Sequence, residues 1–161
     1  MNKLSLYLRG TALVMAATLI AACEDNSFQV IEELDFAAAL QVDLSAMTML
    51  SSGVYTQDVT VGDGDPVLNN SEIIVTYEGY LADGSQFGTG QFTFVMGQRQ
   101  VIVGFEQGIV GMVERGQRRI IIPPDLGYAD QDQNAIPAGS VLIFDVAVDS
   151  VVVDATGGTP N

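Results

Sequence analysis

Alternating apolar and polar positions dominate the chain after Gly53 and predict a β-sheet of about five strands. Between residues 73 and 78, for example, Ile73, Val75 and Tyr77 occupy every second position. An Asp-Gly pair at 83–84 favours a tight turn after this strand. The predicted strands cover residues 54–61, 73–78, 92–96, 118–122 and 140–153.

One segment carries a helical period instead. Over residues 104–113, Phe105, Ile109, Met112 and Val113 fall on one helical face, while Gly108 lowers the intrinsic stability of the helix. Such a helix depends on packing against a sheet. The pattern therefore predicts an α+β fold, with a single helix lying on one face of an antiparallel sheet.

Residues 24–52 mix acidic and apolar side chains, and they leave two alternatives open. Apolar residues recur three or four positions apart between Phe28 and Leu44, which favours a short amphipathic helix. The other alternative is a semi-ordered tether, which at about 3.3 Å per residue would span tens of ångströms. We expect the folded domain over 53–153 and a disordered, polar tail over 154–161.

The first 22 residues have the pattern of a secretory signal peptide. Lys3 and Arg9 precede an acid-free apolar stretch over 10–22, which is too short for the roughly 20 apolar residues of a membrane-spanning helix. The small residues before Cys23 resemble the lipobox of bacterial lipoproteins. This resemblance implies that Cys23 is lipidated and becomes the first residue of the exported protein; an ordinary signal peptide followed by a chance cysteine is the alternative.

The charge of the chain restricts its partners. The net charge is −14, and removal of Lys3 and Arg9 with the signal peptide leaves four basic residues against twenty acidic ones, or −16. A field of this sign repels nucleic acid, and we expect no nucleic-acid partner.

Missing residue types narrow the chemistry further. The chain has no histidine and its only cysteine is Cys23, which excludes Ser-His-Asp and Cys-His hydrolysis and metal sites with nitrogen or sulfur ligands. The acidic residues do not follow an EF-hand spacing. Their number allows a glycosidase carboxylate pair, although no pair stands out. We expect neither a cofactor nor a metal.

Residues 101–128 contain the most informative pattern, because an apolar-faced helix is followed by a strand that ends at Pro123-Pro124 and by Tyr128. This arrangement predicts an apolar pocket with one hydroxyl at its rim. Such a pocket suits an apolar, unpolarised bond, of which the amide before proline is a leading candidate.

Five ordered motifs resemble FKBP-type peptidyl-prolyl cis-trans isomerases over about residues 53–151. They are Val-Thr-Tyr-Glu-Gly (75–79), Leu-Ala-Asp-Gly (81–84), Phe-Thr-Phe-Val-Met-Gly (92–97), Val-Ile-Val-Gly-Phe-Glu (101–106) and Leu-Ile-Phe-Asp-Val (142–146). The resemblance implies a five- to six-stranded antiparallel sheet wrapped around one short helix. Together with the lipobox resemblance, it leads us to expect a monomeric isomerase that is lipid-anchored through Cys23, faces the periplasm and assists folding of exported or envelope proteins.

The resemblance also implies a site. The family's proline pocket falls on nine residues, with Phe105 as the floor and with the Ile102 N–H and the Tyr128 hydroxyl as donors to substrate carbonyls. The implied residues are Tyr77, Phe87, Phe92, Val101, Ile102, Phe105, Tyr128, Ile136 and Phe144. Its partners would be proline-containing polypeptides.

Three positions depart from the family pattern. Gly88 follows Phe87 where the family typically has an aspartate, residues 88–91 form a shorter connection than usual, and Phe105 replaces the commoner tryptophan. We expect the change at Phe105 to be mild, since both side chains are apolar. The missing carboxylate predicts weak catalysis; the alternative is a non-catalytic module, tethered to the membrane, that binds proline-containing or unfolded segments.

Overall fold

The computed structural model describes residues 28–152, which form one six-stranded antiparallel sheet with a single α-helix. The strands lie side by side in the order β1-β2-β5-β6-β3-β4. This architecture confirms the predicted α+β fold class. The elements are β1 (Thr48–Met49), β2 (Tyr55–Thr60), β3 (Glu72–Leu81), β4 (Gln86–Val95), α1 (Val103–Ile109), β5 (Gln117–Ile122) and β6 (Leu142–Val152), with 3-10 helices at Ile31–Glu33, Ala38–Leu40, Leu44–Ala46 and Pro124–Leu126.

The main core lies between α1 and one face of the sheet. Phe105 and Ile109 of α1 pack against Ile120 and Ile122 of β5, and all four side chains are buried. The helix approaches β5 closely because Gly108 faces Ile120, where an added Cβ would collide with the isoleucine side chain. The glycine that weakens the isolated helix therefore allows it to pack on the sheet.

A second core covers the opposite face of the central strands. Ile121 of β5 and Ile143 of β6 are fully buried there, beneath Ile31 and Leu40 of the N-terminal segment. Because both faces of the second half of β5 are covered, residues 120–122 form a continuous isoleucine run instead of an alternation.

Residues 28–47, which we call the N-terminal segment, differ from both alternatives drawn from the sequence. They contain three 3-10 helices in place of one amphipathic α-helix, and they pack on the domain. The Arg119 guanidinium fixes this segment, since it pairs with Asp145 at 2.6 Å and also donates to the Leu40 carbonyl oxygen. The Tyr55 hydroxyl donates to the Glu32 carboxylate at 2.6 Å.

Two element boundaries differ from the prediction. The helix ends at Ile109 instead of residue 113, because Val110 has an extended ψ of 132° and Gly111 a φ of +75°. Residues 88–91, interpreted from the sequence as a connection, lie inside β4, where Gly88 pairs with Gly79. Glycines give no alternating pattern, so only the pairing with β3 makes this part a strand.

Some predicted features lie outside the described residues. These are the signal peptide over 1–22, the lipidation site Cys23 and the tail over 154–161. Among residues 28–152, no helix is long and apolar enough to cross a membrane.

Candidate functional site

A pocket of about 340 Å³ opens beside the first turn of α1. It lies between this turn, strands β3, β4 and β6, and the loop that follows the Pro124–Leu126 helix. The structure brings all nine predicted site residues together in its wall, namely Tyr77, Phe87, Phe92, Val101, Ile102, Phe105, Tyr128, Ile136 and Phe144.

The floor of the pocket is aromatic and packed from below. Phe105 is only 2% exposed, and its ring meets that of Phe144 edge-on at a centroid distance of 5.2 Å. Phe92 lies on the other side of Phe105 at 5.9 Å. Edge-to-face packing of this kind holds the rings in place, so the floor is fixed before any ligand arrives.

The walls are placed by the sheet. Tyr77 on β3 and Phe92 on β4 meet edge-on at 5.5 Å, and Phe87 meets Phe144 in the same way at 5.4 Å. The Phe87 ring lies directly over Gly79, where any Cβ would collide with it. A glycine at position 79 is therefore part of what places Phe87 at the pocket.

Two hydrogen-bond donors mark the rim. Ile102 is the N-cap of α1, and its carbonyl oxygen accepts from Phe105 N at 3.1 Å. Within residues 28–152, neither the Ile102 N–H nor the Tyr128 hydroxyl has an acceptor. Both groups are available to a ligand that carries carbonyl oxygens.

The loop that presents Ile102 is anchored at both ends. The Glu106 carboxylate accepts from the backbone N–H groups of Gly97 at 3.2 Å and Arg99 at 3.3 Å. Gln100 accepts from Val95 N at 2.7 Å through its side-chain oxygen. These bonds hold the approach to the pocket in one conformation.

Sequence reasoning missed four polar or small residues of the rim: Gln100, Gln133, Asn134 and Ala135. Three of them belong to a tight turn in which Gln133 and Ile136 exchange backbone hydrogen bonds, with Asn134 at a φ of +46°. Asparagine tolerates this left-handed conformation, so the Asp-Gln-Asn run was a turn signal that could have located them. Gln100 gave no such signal.

The pocket holds no ionisable acid or base other than its tyrosines. Within residues 28–152 no cluster of three or more His, Cys, Asp or Glu side chains is placed to hold a metal. The carboxyls with lowered pKa values lie elsewhere: Ser45 lowers the pKa of Asp43, Ser85 lowers that of Asp83, and the Tyr55 hydroxyl lowers that of Glu32. The site is suited to hold a neutral apolar ring between carbonyl groups, and its lining contains no histidine, lysine or carboxylate for acid-base chemistry.

Comparison with known proteins agrees with this geometry. The family model described as "FKBP-type peptidyl-prolyl cis-trans isomerase" matches residues 64–149. The chain therefore belongs to the family of FKBP-type peptidyl-prolyl cis-trans isomerases.

Individual relatives cover the domain in different ways. FK506-binding protein 3 of the yeast Yarrowia lipolytica is 42% identical over 103 residues, which are 62% of this chain and 25% of the relative. The chain thus spans about a quarter of the length of that curated relative. Among solved structures, AtFKBP13 superposes with a TM-score of 0.61 at 30% identity, over 65% of this chain and 97% of its own. FkpA from Escherichia coli gives 0.63 at 27% identity, over 71% of this chain and 55% of its own.

Proposed function

We propose that this chain is a peptidyl-prolyl cis-trans isomerase that acts on proline-containing polypeptides at the aromatic pocket. The observation that carries the proposal is the combination of a closed aromatic floor at Phe105 with two free donors, the Ile102 N–H and the Tyr128 hydroxyl. The proline ring would occupy the floor, and the donors would bind the carbonyl groups on either side of the amide bond.

The reaction requires no nucleophile and no proton transfer. Rotation about a peptide bond faces a barrier of about 18–20 kcal/mol, which arises from the resonance that keeps the amide planar. The twisted transition state has lost that resonance and its charge separation, so an apolar pocket stabilises it relative to the planar amide. Hydrogen bonds to the flanking carbonyls hold the chain on both sides while the bond turns.

A protease-coupled cis-to-trans assay tests this proposal. The full chain would be added to proline tetrapeptides that differ in the residue before proline, and the rate compared with the uncatalysed rate. We expect acceleration over the whole series, with differences that define the preference before proline. A folded sample that gives no acceleration would contradict the enzymatic function.

Gly88 favours a second candidate function, a binding module without catalysis. No carboxylate lines the pocket, and Gly88 occupies the wall beside Tyr77. A Cβ at Gly88 would lie 3.3 Å from the Tyr77 hydroxyl oxygen, which is a tight contact, so a side chain at this position requires Tyr77 to shift by a few tenths of an ångström. In this alternative the aromatic pocket holds proline-containing or unfolded segments without turning the bond.

The matched pair Gly88→Asp and Gly88→Asn separates the two functions. A carboxylate at this position would accept a hydrogen bond from Tyr77 and orient the wall, so Gly88→Asp should raise kcat/KM by about tenfold, or 1.4 kcal/mol, if the charge limits the rate. Gly88→Asn has the same size without the charge. Equal activity of both variants and the wild type would show that the pocket does not need the carboxylate.

We further propose that the protein is exported and lipid-anchored through Cys23, and that it assists folding of envelope proteins as a monomer. The support is the signal-peptide pattern, the small residues before Cys23 and the acidic composition. Cells given a labelled fatty acid should label the wild type and not a Cys23→Ser variant. Equal labelling of both would contradict the anchor.

A further inference from the structure

Strand β4 ends the sheet on one side, and its outer edge is open next to the pocket. Phe87, Gly88 and Phe92 of this strand line the pocket, and the strand pairs with β3 without a register shift from Gly88 to Val95. The opposite edge strand, Thr48–Met49, has only two residues. The sheet therefore presents one long edge, and this edge continues directly from the site.

The hydrogen-bond pattern shows which backbone groups point outward. Val95 N faces away from β3, because it donates to the Gln100 side chain at 2.7 Å. Outward and inward groups alternate along an antiparallel strand. The N–H and C=O groups of Thr93, Gln91 and Thr89 consequently point outward too, and all three residues are exposed. Among residues 28–152, no acceptor outside the sheet is bonded to these three N–H groups.

Apart from a bulge at its start, between Gln86 and Gly88, β4 lacks the usual devices that protect a sheet edge. Residues 86–95 contain no charged side chain and no proline, and they form no inward-pointing ion pair. Natural proteins place such residues on edges to prevent pairing with another chain. An uncharged edge three outward positions long, continuous with a ligand pocket, is suited to pair with an extended peptide.

We propose that β4 binds the residues flanking the target proline as an added strand, so that substrate polypeptides are held by backbone hydrogen bonds outside the pocket. This inference rests on the proposed isomerase function and extends it, because it assigns extended, unfolded polypeptide as the preferred substrate over short proline peptides. Backbone pairing carries little sequence preference, which suits an enzyme that acts on many unfolded chains. A second copy of this chain is the less favourable occupant of the edge, because two chains with a net charge of −14 repel each other.

The test compares proline peptides of four and ten residues with the wild-type chain. Two or three added backbone hydrogen bonds should raise kcat/KM for the longer peptide by about tenfold. A third peptide has the sequence of the longer one, with N-methylated amides outside the proline-containing tetrapeptide. It should lose the gain, since methylation removes the donors and blocks strand pairing.

A matched pair of variants tests the same edge from the protein side. Thr93→Pro removes an outward N–H that does not belong to the β3–β4 ladder. Edge strands tolerate proline at such a position. Thr93→Val is the control, because it keeps the N–H. The ratio of kcat/KM for the long and short peptides should fall towards one in Thr93→Pro and stay near tenfold in Thr93→Val.

The outcomes separate this inference from the isomerase function. Turnover of the tetrapeptide with no gain from length, or a gain that survives N-methylation, would overturn the edge proposal and leave the enzyme. No turnover of either peptide, from a folded protein, would overturn the function itself. A stable dimer in analytical ultracentrifugation that dissociates in Thr93→Pro would assign the edge to a second copy instead.

Discussion

At the scale of single residues, Phe105 has two roles that substitution can separate, because it belongs to the core and also forms the pocket floor. Phe94 is its matched control, since it is equally buried at 2% exposure and does not line the pocket. Replacing either with leucine should lower the free energy of unfolding by about 1–2 kcal/mol. Only Phe105→Leu should also lower kcat/KM substantially. Urea unfolding and the isomerase assay measure the two effects, and a parallel loss of activity in Phe94→Leu would mean that the floor is merely core.

The Tyr128 hydroxyl gives a cleaner separation of activity from stability. It forms no hydrogen bond within residues 28–152, so Tyr128→Phe should leave the free energy of unfolding nearly unchanged. Loss of one hydrogen bond to the substrate should lower kcat/KM by about tenfold, or 1.4 kcal/mol. Tyr80→Phe serves as the control for activity, since Tyr80 packs against the second core, away from the pocket, and its hydroxyl donates to Glu78 at 2.6 Å. Unchanged activity in Tyr128→Phe would remove this hydroxyl from the site.

At the scale of elements, the fit between α1 and β5 depends on Gly108. Alanine is the better helix former by about 1 kcal/mol, yet its Cβ would collide with Ile120. Gly108→Ala should therefore destabilise the protein by about 1–3 kcal/mol. Combining it with Ile120→Ala should cost less than the sum of the two single changes, as a double-mutant cycle would show. A stabilised Gly108→Ala would contradict the close packing.

Elements in which apolar residues recur with a clear period could be predicted from the sequence. Elements that depend on pairing with another strand could not. The alternation around Val75 and the helical spacing of Phe105 and Ile109 each indicated the correct element. The part of β4 around Gly88 was missed, because a glycine-rich run becomes a strand only through its partner β3. The helix end was missed as well, since Gly111 takes a left-handed conformation that the spacing of apolar residues does not reveal.

The site was predictable to the extent that it is made of aromatic residues in family motifs. All nine predicted residues line one pocket, although they come from five separate parts of the chain. The polar rim was not predictable: Gln100 and Asn134 reach it through local turns that carry no hydrophobic pattern. Motifs therefore located the floor and walls, and the loops became visible only in three dimensions.

At the scale of the whole molecule, the N-terminal segment is part of the domain, and its attachment should depend on pH. The Tyr55 hydroxyl lowers the pKa of Glu32 below its ordinary 4.5, and Glu32 raises the pKa of Tyr55 above 10.0. The lowered pKa of the acid gives stability that is present above pH 4.5 and lost as the pH falls through the folded-state value. The raised pKa of the tyrosine gives stability that is present below pH 10 and lost as the pH rises.

Tyr55→Phe should accordingly be less stable than the wild type by about 0.5–1 kcal/mol near pH 7, a small value because Glu32 is exposed. The difference should shrink both below pH 4.5 and above pH 10. Urea unfolding across the pH range measures it, with Glu32→Gln as a control that keeps an acceptor without an acidic titration. A difference that is constant with pH would show that this pair does not attach the segment.

The central claim is that the aromatic pocket turns the amide bond before proline, and exchange NMR on a proline tetrapeptide mixed with the full chain tests it most directly. Uncatalysed exchange takes about 10–100 s, so cross-peaks between cis and trans signals at mixing times below about one second require catalysis. We expect those cross-peaks together with a shift of the Ile102 amide signal. A shifted Ile102 signal with no exchange cross-peaks would show binding without catalysis and contradict the claim.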